Sequence, residues 1–92
     1  MEEQPRKQLT RRLQIIEGHV RSVQRMVDED AYCIDIIRQI SAIQSALNKV
    51  SEIILENHLN TCVTSAIRGD DTQEREKALR EIAEVFQMSH KV

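Results

Sequence analysis

The sequence predicts an all-α protein, and three observations predict it. Apolar residues recur at alternating steps of four and three along two long stretches, the spacing of a narrow helical seam. Only 2% of the 92 residues are aromatic and no β-branched run alternates with polar residues, which leaves little from which to build strands. With two glycines and one proline in the whole chain, long helices can run uninterrupted. The expected unit is a three-helix protomer, one domain spanning residues 1–92.

The first helix is expected over about 7–27. Leu9, Leu13, Ile16, Val20, Val23 and Val27 form its seam. Asp28-Glu29-Asp30 ends it and offers an N-cap to the next helix. The second helix is expected over 31–68, with Ile36, Ile40, Ile43, Leu47, Val50 and Ile54 in the same register and Ile37, Ile53 and Leu55 widening the stripe. Gly69 is its natural C′ residue. Asp71 and Glu74 form a capping pair for a third helix over 72–88, with Leu79, Ile82, Val85 and Phe86 facing inward. The tail from Ser89 to Val92 is expected to fray.

A chain this short buries a thin core, so association between chains is expected. No apolar run reaches the roughly 18 residues of a membrane span. The N-terminus is polar and charged, which does not read as a signal peptide and points to the cytoplasm. Thiols stay reduced there, so two cysteines read as ligands or reactive groups rather than a disulfide. The net charge is −2, but it is unevenly spread. Arg6, Lys7, Arg11, Arg12, Arg21 and Arg25 face a single acid, Glu17, while Asp70, Asp71, Glu74, Glu76, Glu81 and Glu84 crowd the other end. A basic face that binds a polyanion is compatible with that asymmetry.

Cys33, His58 and Cys62 carry the chemistry. On a helix, the i, i+4 spacing of His58 and Cys62 puts both on one face, within reach of one ion. Two thiolates and an imidazole make a soft donor set that favours Cu(I), accepts Zn(II) in vitro and suits Mg or Ca poorly. The thiols must lose protons to bind, so affinity falls with pH. The plain alternative, two buried small hydrophobes and a surface histidine, is outweighed by the spacing. Along one continuous helix, Cys33 and Cys62 would stand roughly 43 Å apart. They can share an ion only if a second copy of the helix runs antiparallel, placing Cys33 of one chain beside His58 and Cys62 of the other. A two-fold axis then falls near positions 46 and 47, where Leu47 occupies the middle of the seam. His19 reads as a structural or surface histidine, and His90 is assigned nothing.

Three stretches are recognisable: Asp30-Ala31-Tyr32-Cys33-Ile34-Asp35, Gln39-Ile40-Ser41-Ala42-Ile43-Gln44 and Asn57-His58-Leu59-Asn60-Thr61-Cys62. With Arg12-Leu13 and Glu17-Gly18-His19-Val20, they closely resemble the copper-sensing operon repressor family of bacterial transcription factors. The resemblance covers about Leu9 to Phe86. It implies an antiparallel four-helix-bundle homodimer that pairs into a homotetramer, a dimer of dimers. It also implies that the metal-free protein represses by binding operator DNA and lets go when the inducer binds. The Cys, His, Cys triad at 33, 58 and 62 is that of the copper branch. Nickel and cobalt sensors add a histidine near the N-terminus, where this chain reads Met1-Glu2-Glu3-Gln4. Persulfide sensors lack the histidine, and Pro5 is not placed as in the formaldehyde sensors. The resemblance further implies that Tyr32 and Glu81 orient the liganding histidine, and that Arg12 and Lys49 touch DNA. Arg11 and Arg21, with Arg6 and Lys7, extend that patch.

No helix-turn-helix or zinc finger is present, so binding would rest on phosphates and duplex shape. Two alternatives remain at this level: a thiol-based repressor that senses sulfur species or electrophiles through Cys33 and Cys62, and a copper buffer that binds no DNA. An enzyme is disfavoured, since nothing supplies an oxyanion hole or an orienting third group beside a Cys-His pair.

Overall fold

The computed structural model of the chain describes residues 1–90, with side chains through Met88. Residues 91 and 92 of the expected fraying tail lie outside the described residues. Helix α1 (Glu3–Asp28) is followed by α2 (Cys33–His58), a π-helical turn (Leu59–Val63), α3 (Thr64–Arg68) and α4 (Thr72–His90). Among the described residues there is no strand. The π turn and α3 continue α2 without a gap, so the three expected helices are present, the second one subdivided. The chain forms two compact units, Met1–Leu55 and the residues from Glu56 onward.

Helix α1 starts at Glu3, earlier than the seam suggested. Its first turn holds Pro5, whose fixed φ suits a helix start and whose missing N–H has no partner to lose there. Lys7 Nζ lies 3.2 Å from Glu3 across one turn. These polar residues carry no apolar period, so the seam could not report them.

The end of α1 corrects one expectation. Asp30 is not the N-cap of α2; it is the left-handed residue that closes α1, with φ 59°. Asp30 N–H donates to the Val27 carbonyl (3.1 Å) and Ala31 N–H to the Met26 carbonyl (2.9 Å), the paired bonds of a Schellman motif. Helix α2 begins at Cys33 instead of Ala31, and the Tyr32 carbonyl accepts the N–H groups of Asp35 (3.0 Å) and Ile36 (3.2 Å). Aspartate tolerates the left-handed region because its short side chain bonds locally, which is why a run of acids serves as a stop here.

In the first unit α1 and α2 pack through one row each. Leu9, Ile16 and Val23 of α1 are buried with Ile43 and Val50 of α2, flanked by Ile36, Ala46 and Ile53. At the rim, His19 Nε2 lies 2.7 Å from Gln39 Oε1 and links the two helices, in line with the structural or surface histidine expected there. The alternate members of the seam remain exposed: Leu13, Val20 and Val27 on α1, and Ile40, Leu47 and Ile54 on α2, from 40% at Ile54 to 58% at Val27. Thus the seam is real, but one protomer satisfies only half of it.

In the second unit Val63 and Ala78 are buried. Leu79, Val85 and Phe86, expected to face inward, are exposed, and Ile82 is half-buried. Helix α4 packs against the π turn and α3, with the small Ala78 buried there. Gly69 ends α3 with extended backbone (φ −76°, ψ 171°), not the left-handed conformation expected of a C′ glycine. What favours glycine there is space: a Cβ would sit 3.2 Å from the Ser65 carbonyl oxygen. Arg75 Nη2 donates to the Gly69 carbonyl at 2.9 Å and pins the turn to α4. Helix α4 runs two residues past the expected Met88.

The Schellman closure is testable by urea denaturation. Asp30→Val should cost about 1–2 kcal/mol, because a β-branched residue resists positive φ, while Asp30→Gly should be close to neutral.

Candidate metal centre and nucleic-acid interface

The π turn sets the geometry of the donor pair. Continued in the same alternating steps, the seam after Ile54 would pass through Asn57, Thr61 and Thr64. Instead Thr61 is exposed and the buried residue of this stretch is Val63, only 3% exposed, with Leu59 and Ala66 half-buried. Bonding widens from i→i+4 to i→i+5: Thr64 N–H reaches the Leu59 carbonyl. The extra residue per turn rotates everything downstream by about 100°. Two threonine hydroxyls support it. Thr61 Oγ1 donates to the Asn57 carbonyl at 2.8 Å and Thr64 Oγ1 to the Leu59 carbonyl at 2.6 Å, side-chain bonds that loosen a regular α-helical ladder. Thr61 Oγ1 also lies 3.7 Å from Cys62 Sγ.

His58, half-buried, ends α2, and Cys62, exposed, lies within the π turn. Both line a cavity of about 80 Å³ whose other wall is α4, through Glu74, Lys77, Ala78 and Glu81. That is room for a metal ion or a few waters. An imidazole and a thiol opening onto one small space are a soft pair, and they fit a Cu(I) ion. Glu81, expected beside the histidine, lines the same cavity.

Asp71 fixes that wall: its Oδ1 accepts from the N–H of Gln73 (2.9 Å) and of Glu74 (3.4 Å), as expected of the cap of α4. Glu74 and Lys77 were not singled out from the sequence as parts of the site. The signal was present as Glu74, Lys77 and Glu81 at helical spacings of three and four, but an acidic helix face has no periodicity that marks a cavity.

Tyr32 and Cys33 belong to the first unit, at the start of α2, and both are exposed. Neither cysteine is in a disulfide. Among the described residues of one protomer, no three His, Cys, Asp or Glu side chains come together as a metal site.

Of the residues expected to meet DNA, Arg11 is exposed and Arg12 half-buried on α1, and neither forms an ion pair among the described residues. Arg21 Nη2 sits 2.9 Å from Glu17, and Lys49 Nζ 3.8 Å from Glu52, all with side chains more than half exposed. Such surface pairs are worth well under about 1 kcal/mol and do not prevent either cation from meeting a phosphate.

Residues 5–88 match the family of metal-sensitive transcriptional repressors, and the chain belongs to that family. It is 47% identical over 79 residues to the copper-sensing transcriptional repressor CsoR of Bacillus subtilis, covering 86% of this chain and 75% of that one. Its fold matches the crystal structure of the copper-sensing repressor CsoR with Cu(I) from Geobacillus thermodenitrificans, with a TM-score of 0.88 and 44% identity, over 99% of this chain and 92% of that one. A nickel-responsive transcriptional regulator, InrS, is also similar, with a TM-score of 0.75 and 35% identity over 87% of this chain and 90% of that one.

Removing the α4 cap should loosen the wall of the cavity. Asp71→Ala is expected to cost about 1 kcal/mol and to speed hydrogen exchange at the amides of Gln73 and Glu74 before any change in α1.

Proposed function

We propose that the protein is a Cu(I)-responsive transcriptional repressor. Its metal-free form binds operator DNA and releases it when Cu(I) occupies a site made by Cys33 of one chain with His58 and Cys62 of another. The observation that carries this is the cavity on which His58 and Cys62 converge with Glu81. The similarity to copper-sensing repressors supports copper as the inducer. The relatives are repressors, and no catalytic role is proposed. No helix is long and apolar enough to cross a membrane among the described residues, and the proposed setting is the cytoplasm, where thiols remain reduced.

Sharing the site between chains rests on two supports. Helix α2 is unbroken from Cys33 to His58. The exposed row of Leu13, Val20, Val27, Ile40, Leu47 and Ile54 is a continuous apolar surface on the first unit, suited to a second copy of itself in an antiparallel four-helix-bundle homodimer. Leu47 stands in the middle of the α2 row, where the donor register places the two-fold axis. Pairing of such dimers gives the homotetramer.

Within the site each side chain has a role. Cys33 and Cys62 supply thiolates and His58 a neutral imidazole nitrogen. Glu81 accepts the other ring N–H of His58 and fixes its tautomer; Tyr32 flanks Cys33 and helps hold the histidine. Arg12 and Lys49, with Arg11 and Arg21, contact phosphates. The inducer shifts the protein away from DNA only to the extent that it binds the released state better than the bound one.

Gel-shift titration with anaerobic Cu(I) tests the reading. Operator affinity should fall about 5–150-fold, the usual range of such coupling, and the response should vanish in His58→Ala and Cys62→Ser; an unchanged affinity in the wild type rejects it. Mixing Cys33→Ser with Cys62→Ser protein should restore one site per mixed dimer, seen by X-ray absorption as three-coordinate sulfur and nitrogen. Arg12→Ala should weaken DNA binding on all sequences and lower the salt slope by about one.

A further inference from the structure

We propose that Lys77 sets the charge preference of the metal site, disfavouring divalent ions relative to a monovalent one. The proposal rests on the reading of His58 and Cys62 as metal ligands and concerns the selectivity of that same site. The cavity they line is also lined by Glu74 and Glu81. Glu74 and Glu81 do not close with His58 and Cys62 into a metal cluster within one protomer, but carboxylates beside a site attract a divalent ion more strongly than a monovalent one. On its own, this wall would work against Cu(I).

Lys77 lies between the two acids on the same face of α4, three residues after Glu74 and four before Glu81, and lines the same cavity. Among the described residues it forms no ion pair, so its charge is not committed to either carboxylate. A fixed positive charge repels a divalent ion with twice the energy with which it repels a monovalent ion at the same point. The completed centre reinforces this. Two thiolates, a neutral imidazole and Cu(I) sum to one negative charge, which the ammonium offsets. The same donors around Zn(II) are neutral and gain nothing from it. Lys77 therefore adds a preference by charge to the preference for Cu(I) that the soft donors already give.

The test is competition of anaerobic Cu(I) and of Zn(II) against chromophoric chelators, in the full-length wild type and in Lys77→Met, Lys77→Gln and Lys77→Arg. Both neutral variants should raise the Zn(II)-to-Cu(I) affinity ratio about tenfold or more, and Lys77→Arg should keep it within about threefold of wild type. Circular dichroism melts confirm that the variants are folded. A ratio unchanged in both neutral variants, or altered as much by arginine, overturns the proposal. His58→Ala and Cys62→Ser run alongside: if they leave Cu(I) binding intact, the ligand assignment itself falls and the role of Lys77 with it. If they abolish binding while the neutral variants keep the wild-type ratio, only the role of Lys77 falls.

Discussion

The structure depends on an apolar seam that a single chain can only half bury. Each long helix carries two interleaved rows of aliphatic side chains. Packing α1 against α2 removes Leu9, Ile16 and Val23 from water with Ile43 and Val50 and leaves the intervening rows exposed. At about 25 cal/mol per Å² of apolar surface, six aliphatic side chains left at 40–58% exposure represent several kcal/mol that association can recover. The proposed metal site makes the same demand, since its third donor would come from another chain. Association and ligand binding would then be linked, because the contact that completes the core would also complete the site.

The second constraint is the π turn. An i, i+4 pair in a regular α-helix presents both side chains along one fixed stripe. Here the stripe is broken between the donors. Val63 turns inward to the small core with Ala78, and His58 and Cys62 open together onto the cavity faced by α4. The hydroxyls of Thr61 and Thr64 satisfy carbonyls that the altered ladder serves less well. Single π turns occur often at functional sites, and the reason is visible in this one: one extra residue re-aims the side chains without interrupting the helix.

Charge is arranged on the same economy. The acids of α4 are exposed, and two of them, Glu74 and Glu81, also border the cavity with Lys77 between them. On α1 and α2 the cations are held loosely or not at all: Arg21 and Lys49 have exposed acidic neighbours, and Arg11 and Arg12 have no ion pair among the described residues. A protein with a net charge of −2 can in this way present a cationic surface to a polyanion.

The sequence by itself determined the helices. The four-three spacing, the scarcity of glycine and proline, and the Asp71 cap placed three rods close to where they lie, because helical period and capping are local properties. It also named His58 and Cys62 as neighbours and His19 as structural or superficial. Only the tertiary structure decided which half of the seam a protomer buries, that Asp30 closes α1 rather than opening α2, and that Gly69 is favoured by tight space rather than by a positive φ. It alone placed the π turn and brought Glu74 and Lys77 to the cavity with Glu81. These depend on which surfaces meet, and an extra residue in a turn or an ammonium beside two carboxylates leaves no periodic trace in a chain read one residue at a time.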